Sequence, residues 1–516
     1  MPRDYIKIKG ILQIILIALL IIVLPIPALS GTSVNVNVDS WVYPALERLA
    51  SFGLIESGLM NTRPLTRTEV ARLTGEAMGL MAERKPGYEV DGLTLYLLKR
   101  LKKEFSDELS NIGMIGDVKV KTFIKPIDEM KIGYHLLDGN YTIYNNDGIR
   151  YGDNHNASME ISGHSEFFNT ISLYYQPIFE YNQNLDNNEK TGFDLKKGYA
   201  KLGLSNIEFE IGRDSMWWGS GYHGSLLMTN NAEPFDILKI ANPRPILLPW
   251  IFRYLGPFKA TFILSKLEKD RRIPEPYLYG LRLNIKPLPT LELGMSQIAI
   301  FGGEGRRLSL TDTLEVLYSN RNLSGKKESN QQFAVDFSFW IHDMDRITTL
   351  FRAIKVYAEI GAEDTGYPPD RRAHLVGLLF KDLLLAGKTD LRIEYVNTSP
   401  PAVPGAWYQH GYYPAFYEGR VFGHHVGSNA EDIFVRATSY LTNDLIAGID
   451  IDMERRGLNI AGQEKHYQVG VDLSYNITDM TEVKARYGFE RVNNLNFVDG
   501  VNKDGHFFGT ELRIRF

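Results

Sequence analysis

The sequence predicts a mainly β protein: a transmembrane antiparallel β-barrel of about 18 strands, preceded by a small N-terminal α-helical bundle. Three observations carry that prediction. In the last ten residues, Phe508, Thr510, Leu512, Ile514 and Phe516 fall on one strand face, while Glu511, Arg513 and Arg515 fall on the other. A strand of about 9–11 residues with one apolar and one charged face suits a tilted bilayer crossing. The same two-residue rhythm recurs throughout the chain downstream of about residue 117. Its connections alternate between short turns and long loops, as a barrel requires.

Composition narrows the classes. The 57 basic and 62 acidic residues are intermixed and give a net charge of −5, so no basic patch points to nucleic acid. Cysteine is absent, which removes disulfides, thiolate metal sites and cysteine nucleophiles and suits an oxidising envelope compartment.

From the N-terminus, Arg3, Lys7 and Lys9 precede an apolar run over 11–24. Pro25 and Pro27 end it, and Ala28 and Ser30 place small residues before a cleavage point, so residues 1–30 read as a signal peptide. Residues 31–116 read as a periplasmic helical bundle. Trp41, Ala45, Leu46, Leu49 and Phe52 share a helical face, and Thr66 to Glu69 forms a capping box for a second helix. Leu93, Leu97, Leu98 and Leu101 mark a third.

Residues 117–516 read as the barrel. Ile207, Phe209 and Ile211 alternate with Glu208 and Glu210, and Leu391, Ile393 and Tyr395 alternate with Asp390, Arg392 and Glu394. Val469, Val471 and Leu473 repeat the pattern against Gln468, Gly470 and Asp472. Short turns fall near 476–479, 441–443, 383–387 and 287–290, and long connections at 491–505, 453–465, 397–430, 363–372 and 301–331. Strand parity holds only if 235–241 is a strand, with 118–125 as a lead-in. The last strand ends on an aromatic, which resembles the C-terminal sorting signal of bacterial outer-membrane barrels.

The richest chemistry lies in 212–235, on the loop side of the barrel. Trp217 and Trp218 offer faces that stack on the apolar side of a pyranose, and Asn230 and Asn231 offer amides that match vicinal hydroxyls. Arg213 suits a uronate or pyruvyl carboxylate, with Asp214 beside it. The same residues also suit a structural loop plug, because Asn-Asn before Pro-Phe is good turn chemistry. The loop at 397–430 adds Trp407, Tyr408, Tyr412 and Tyr413, and its length implies function or an inward fold. His424 and His425 are adjacent and on an extended segment would point opposite ways, so no metal is expected there. They read as hydrogen-bonding groups toward glycan or as packed structural histidines.

The run from Gly212-Arg213 through Trp218-Gly219-Ser220-Gly221 to Asn230-Asn231-Ala232-Glu233-Pro234-Phe235 resembles the signature of the Wzi capsule-assembly family. So do Gly419-Arg420-Val421-Phe422-Gly423-His424-His425-Val426-Gly427, the Leu391 to Tyr395 strand and Lys286-Pro287-Leu288-Pro289. Ser220 departs from the proline expected after Trp-Gly, which bears on loop rigidity. The resemblance implies an 18-stranded outer-membrane barrel with a periplasmic bundle. It would act as a non-enzymatic lectin that holds capsular or extracellular polysaccharide at the cell surface. Its implied partners are that polysaccharide, outer-membrane lipid and the polysaccharide export machinery, and no cofactor is implied.

Two other classes compete. A sugar-selective porin fits a charged lumen, although balanced charges inside a barrel lock into salt bridges more naturally than they line an open pore. A hydrolase would need a nucleophile and base, and the chain contains no Gly-x-Ser-x-Gly elbow.

Overall fold

The computed structural model describes residues 32–84, 90–116, 122–185, 188–318, 323–363, 371–385, 387–400 and 403–516. The expected signal peptide lies outside them. Four helices come first: α1 (Val42–Ser51), α2 (Arg67–Ala82), α3 (Gly92–Glu104) and α4 (Ser106–Asn111). The Thr66 hydroxyl accepts from the Glu69 N–H at 3.2 Å, the cap that the sequence predicts, and the Asp91 carboxylate accepts from the Thr94 N–H at 2.9 Å to cap α3. Leu46, Leu49, Val70, Leu73, Leu98 and Leu101 meet in one core. The fourth helix was not anticipated; it restarts after Phe105, whose fully buried ring anchors the break.

Eighteen strands among the described residues close the barrel. They are β1 (Phe123–Gly139), β2 (Asn154–Phe167), β3 (Ile171–Leu185), β4 (Asn188–Leu204), β5 (Ile207–Asp214) and β6 (Phe235–Ala241). The next six are β7 (Pro257–Lys266), β8 (Tyr277–Leu288), β9 (Leu291–Phe301), β10 (Ser329–Ile341), β11 (Ala353–Glu363) and β12 (Arg372–Lys381). The last six are β13 (Thr389–Asn397), β14 (Ala430–Tyr440), β15 (Leu445–Arg456), β16 (Glu464–Asn476), β17 (Thr481–Asn493) and β18 (Lys503–Arg515). Every neighbouring pair is antiparallel, and β1 against β18 closes the ring with Met130 opposite Ile514. Phe235–Ala241 is the strand that parity required. The 118–125 segment is corrected in part: Phe123 to Lys125 already pair with β2, before a bulge ahead of Glu129, and residues 118–121 lie outside the described ones.

The pleat separates oil from charge. Along β5, Phe209 and Ile211 face outward while Glu208 and Glu210 are buried in the lumen, and Ile449, Val471, Leu473 and Phe508 continue the apolar outer band. Inside, Arg282 pairs with Asp336, Lys239 with Glu210 at 2.6 Å, Lys381 with Asp390 at 2.5 Å and Arg486 with Asp450 at 2.9 Å.

The bundle sits in the short-turn end of this lumen. Arg48 donates to Asp382 at 2.9 Å, Tyr96 to Asp444 at 2.6 Å and Arg100 to Asn476 at 3.2 Å, all on short turns or strand ends. Two extended stretches run further in. Asn35 donates to Glu210 and Asp214, and the Met60 and Asn61 N–H groups donate to Glu292 at 2.9 and 3.0 Å.

Candidate functional site

Among the described residues, three interlocked segments fill the long-loop end: 140–153, 215–234, and 398–400 with 403–429. Leaving β5, the chain turns into the barrel rather than over its rim. Trp217 and Trp218 pair antiparallel with Arg63 and Thr62, so the incoming loop meets the bundle's extended arm inside the lumen. Gly219, at φ +142°, makes this path possible: a Cβ there would lie 2.2 Å from both the Glu359 carboxylate and the Ser225 hydroxyl. Gly224 has the same role against His424, whose ring would be 2.2 Å from an added Cβ.

Wall carboxylates hold the loop's backbone. Glu359 on β11 accepts from the Gly221 N–H at 2.8 Å and the Leu226 N–H at 2.9 Å; Glu394 on β13 accepts from the Tyr222 and His223 N–H groups at 2.6 and 2.7 Å. Each replaces water that these buried amides have lost. The Ser220 hydroxyl donates to the Ala358 carbonyl at 3.2 Å, a contact that proline could not make.

Asparagines then tie the segments together. Asn145 donates to the His223 carbonyl at 2.7 Å, Asn230 to the Asn145 carbonyl at 3.0 Å and Asn231 to the Val421 carbonyl at 2.9 Å. Arg420 donates to Asn146 Oδ1 at 2.8 Å and the Ile149 carbonyl at 2.9 Å, and the Tyr408 hydroxyl donates to the Leu226 carbonyl at 2.6 Å. The loop-plug reading of this segment is therefore the geometry observed.

The twelve candidate residues divide by position. Trp217, Trp218, Asn230, Asn231, Trp407, Tyr408, Tyr413, His424 and His425 are all buried in the plug, and Asp214 is buried just below it. Arg213 points the other way, onto the barrel's outer wall, where Asp236 accepts from it at 2.9 and 3.1 Å. Its place follows from pleat parity with Phe209 and Ile211. Tyr412 lies half-exposed at the inner rim of the mouth. Its ring carries the guanidinia of Arg272 and Arg306, each 4.3 Å from the centroid.

His424 and His425 depart from the expectation that they point opposite ways. Their segment is a turn, not extended chain, and their ring centroids lie 4.5 Å apart. Burial, then the neighbouring imidazoles, holds His424 well below the usual imidazole range, and burial with His223 does the same for His425. Burial also works against charge on His223, but Asp452 outweighs it and the net shift is upward.

Sequence reasoning missed Arg272, Arg306, Asn145 and the cradling acids. The acids had a signal, since Glu359 and Glu394 occupy lumen-facing parity positions; the others did not, because long-range folding alone brings them to the mouth.

Below the plug, a cavity of about 710 Å³ lies between the loops and the helices of the bundle, lined in part by Tyr144, His223, Phe434, Arg436, Asp450 and Glu511.

Comparison with known proteins fits this architecture. The E. coli protein described as Wzi, an outer membrane protein involved in group 1 capsule assembly and a carbohydrate-binding β-barrel, superposes with a TM-score of 0.71 at 17% identity. That superposition covers 94% of this chain and 100% of the other. A Klebsiella pneumoniae protein described as an uncharacterized 55.8 kDa protein in cps region is 27% identical over 191 residues, a stretch that spans 36% of each chain. A family model described as capsule assembly protein Wzi matches residues 131–506, nearly the whole barrel with its plug loops, and the chain belongs to the capsule assembly protein Wzi family.

Proposed function

We infer that the protein is a non-enzymatic, carbohydrate-binding barrel of the outer membrane that retains or assembles capsular or extracellular polysaccharide at the cell surface. The observation that carries this reading is the interlocked mouth. Three loops hydrogen-bonded to one another and to the wall offer a fixed polar face, the preorganisation that a weak, repeated glycan contact needs. Family membership, and the carbohydrate binding described for the E. coli relative, support the same reading. The lumen's paired charges favour it over a sugar-selective porin.

In this reading the contact surface is the rim. Arg272 and Arg306 around Tyr412 take the role first given to Arg213, that of binding a uronate or pyruvyl carboxylate with planar, multidentate donors. Buried Trp217, Trp218, Trp407 and Tyr408 shape that surface from below rather than touching the sugar. The bundle faces the periplasm, where it is available to the export machinery, and the apolar band contacts outer-membrane lipid. A glycan array probed with detergent-solubilised protein tests the reading. Retention of acidic polysaccharide that falls in Tyr412→Ala supports it; no glycan binding together with large steady conductance in planar bilayers overturns it in favour of the porin.

A further inference from the structure

Five ligand-type side chains converge at the wall of the lumen, where the plug meets β14 and β15. His223 and His425 come from two different loops, Asp432 from β14, and Asp452 and Glu454 from β15. Asp432 and Glu454 are direct cross-strand partners, and Asp452 lies opposite Phe434, two pairs along and on the same face. Like charges directly opposite on antiparallel strands destabilise a sheet, and burial makes that worse. The neighbouring Arg456 offsets only Glu454, with its Nε 2.8 Å from Oε2, and leaves Asp432 and Asp452 to the histidines.

The near side of the cluster is left open. His425 is fully buried, yet neither ring nitrogen has a hydrogen-bond partner, and Asp432 Oδ1, Asp452 Oδ1 and Glu454 Oε1 are buried without one. His425 Nε2 is only 3.3 Å from Glu454 Oε1 and 3.7 Å from Asp432 Oδ2, but neither contact has hydrogen-bond geometry. Atoms that close which do not point at each other are arranged like ligands aimed at a shared third atom. The spacing agrees: donors about 2.1 Å from a tetrahedral ion stand about 3.4 Å from one another. Across the cluster, His223 Nε2 is 3.0 Å from Asp452 Oδ2 and 3.9 Å from Asp432 Oδ2.

We propose that His223, His425, Asp432, Asp452 and Glu454 form a binding site for one divalent transition-metal cation, which pins two plug loops to the barrel wall. The donor set of imidazole nitrogens and carboxylate oxygens is that of Zn²⁺ or Mn²⁺ rather than of an all-oxygen Ca²⁺ or Mg²⁺ site. On binding, the ion replaces the proton shared between His223 Nε2 and Asp452 Oδ2. The imidazole planes are already set: Tyr144 stacks on His425 at 4.0 Å and Phe434 on His223 at 3.8 Å, while Arg456 orients Glu454 and donates to the Tyr144 hydroxyl at 2.9 Å. His223 borders the 710 Å³ cavity, which provides a route of entry. The site stands independently of any glycan contact.

The test uses untagged protein extracted from membranes in detergent, stripped with EDTA and titrated with Zn²⁺ against a chromophoric chelator. The expected result is one Zn²⁺ per chain, with affinity reduced about 100-fold or more in His425→Gln and in Asp432→Asn and unchanged in His374→Gln. Co²⁺ loaded in place of Zn²⁺ should give the visible absorption of a protein-bound nitrogen–oxygen site, lost in the same two variants. Heat-modifiable gel mobility confirms that each variant keeps its barrel. No stoichiometric uptake by the wild-type protein, or uptake that persists in both cluster variants, overturns the proposal.

Discussion

Arg63 and Trp217 are direct partners in a short antiparallel pairing inside the barrel, one delivered by the bundle from the turn end and the other by an outer loop from the mouth. The adjacent pair, Thr62 and Trp218, extends the contact, and the Trp218 N–H donates to the Met228 carbonyl at 3.0 Å. Two plugs that enter from opposite ends are thereby joined into one.

Trp218→Ala tests that junction. Emptying a buried tryptophan site costs about 3–5 kcal/mol. The barrel's ladder does not depend on this side chain, so the loss should fall on the plug. The expected outcome is a barrel that still shows heat-modifiable migration but conducts in planar bilayers where the wild type is quiet. Any loss of surface polysaccharide in this variant would come from a disordered mouth, since Trp218 is 2% exposed and has no face to offer a sugar. A variant as tightly sealed as the wild type would show that the junction does not close the lumen.

Arg48 is the corresponding tie at the turn end. Fully buried, it donates to Asp382 and Asp91 at 2.9 Å each and to the Thr94 hydroxyl at 2.9 Å. Arg48→Met would leave the buried Asp382 carboxylate with only Arg352, 3.3 Å from its other oxygen, at a cost of up to about 3–5 kcal/mol. Limited proteolysis in detergent should then release the bundle while the strands stay intact. Wild-type protease resistance would mean that other contacts are enough to dock it.

The barrel was legible because each strand states its own orientation. Ile207, Phe209 and Ile211 against Glu208 and Glu210 declare an outward and an inward face without reference to any other strand, and counting parity recovered even the short Phe235–Ala241. The same rule, carried two residues further, would have put Arg213 on the outer wall. The mouth was less legible because its order comes from partners distant in sequence. Glu359 fixes Gly221 from 138 residues away, and Glu394 fixes Tyr222 from 172. Aromatic content alone could not separate Trp217, which faces inward under that control, from Tyr412, which stays at the rim.

Glu47 gives the docked bundle a defined response to acid. Burial disfavours its ionisation, but Arg392 and then Lys355 outweigh burial and hold the carboxyl well below the usual range. Its Oε2 lies 2.6 Å from Arg392 and its Oε1 3.2 Å from Lys355. A carboxylate whose folded pKa is depressed adds stability that is fully present above its unfolded value of about 4.3 and is lost as pH falls through the folded one. Bundle docking, followed by protease sensitivity, should therefore weaken progressively below about pH 4. Glu47→Gln should be weaker at neutral pH and should lose much of that acid response. An identical pH profile in the variant would assign the response to other carboxylates.

The Arg272–Tyr412–Arg306 cluster predicts a salt-dependent glycan contact. Arg272 is exposed and Arg306 half-buried, so a carboxylate reaching them is partly screened by ions. Between about 0.1 M and 1 M ionic strength the screening length falls from about 10 Å to about 3 Å, so affinity for an acidic polysaccharide should drop across that range. Charge-assisted hydrogen bonds contribute about 1.5–3 kcal/mol each. Arg272→Ala should therefore weaken binding by roughly tenfold or more per site at low salt and flatten the salt dependence, while Arg272→Lys should restore charge but only part of the affinity, because an ammonium lacks the planar fork. A neutral polysaccharide should be indifferent to both variants. Equal salt dependence in Arg272→Ala and wild type, measured on immobilised acidic glycan, would move the binding face away from this rim.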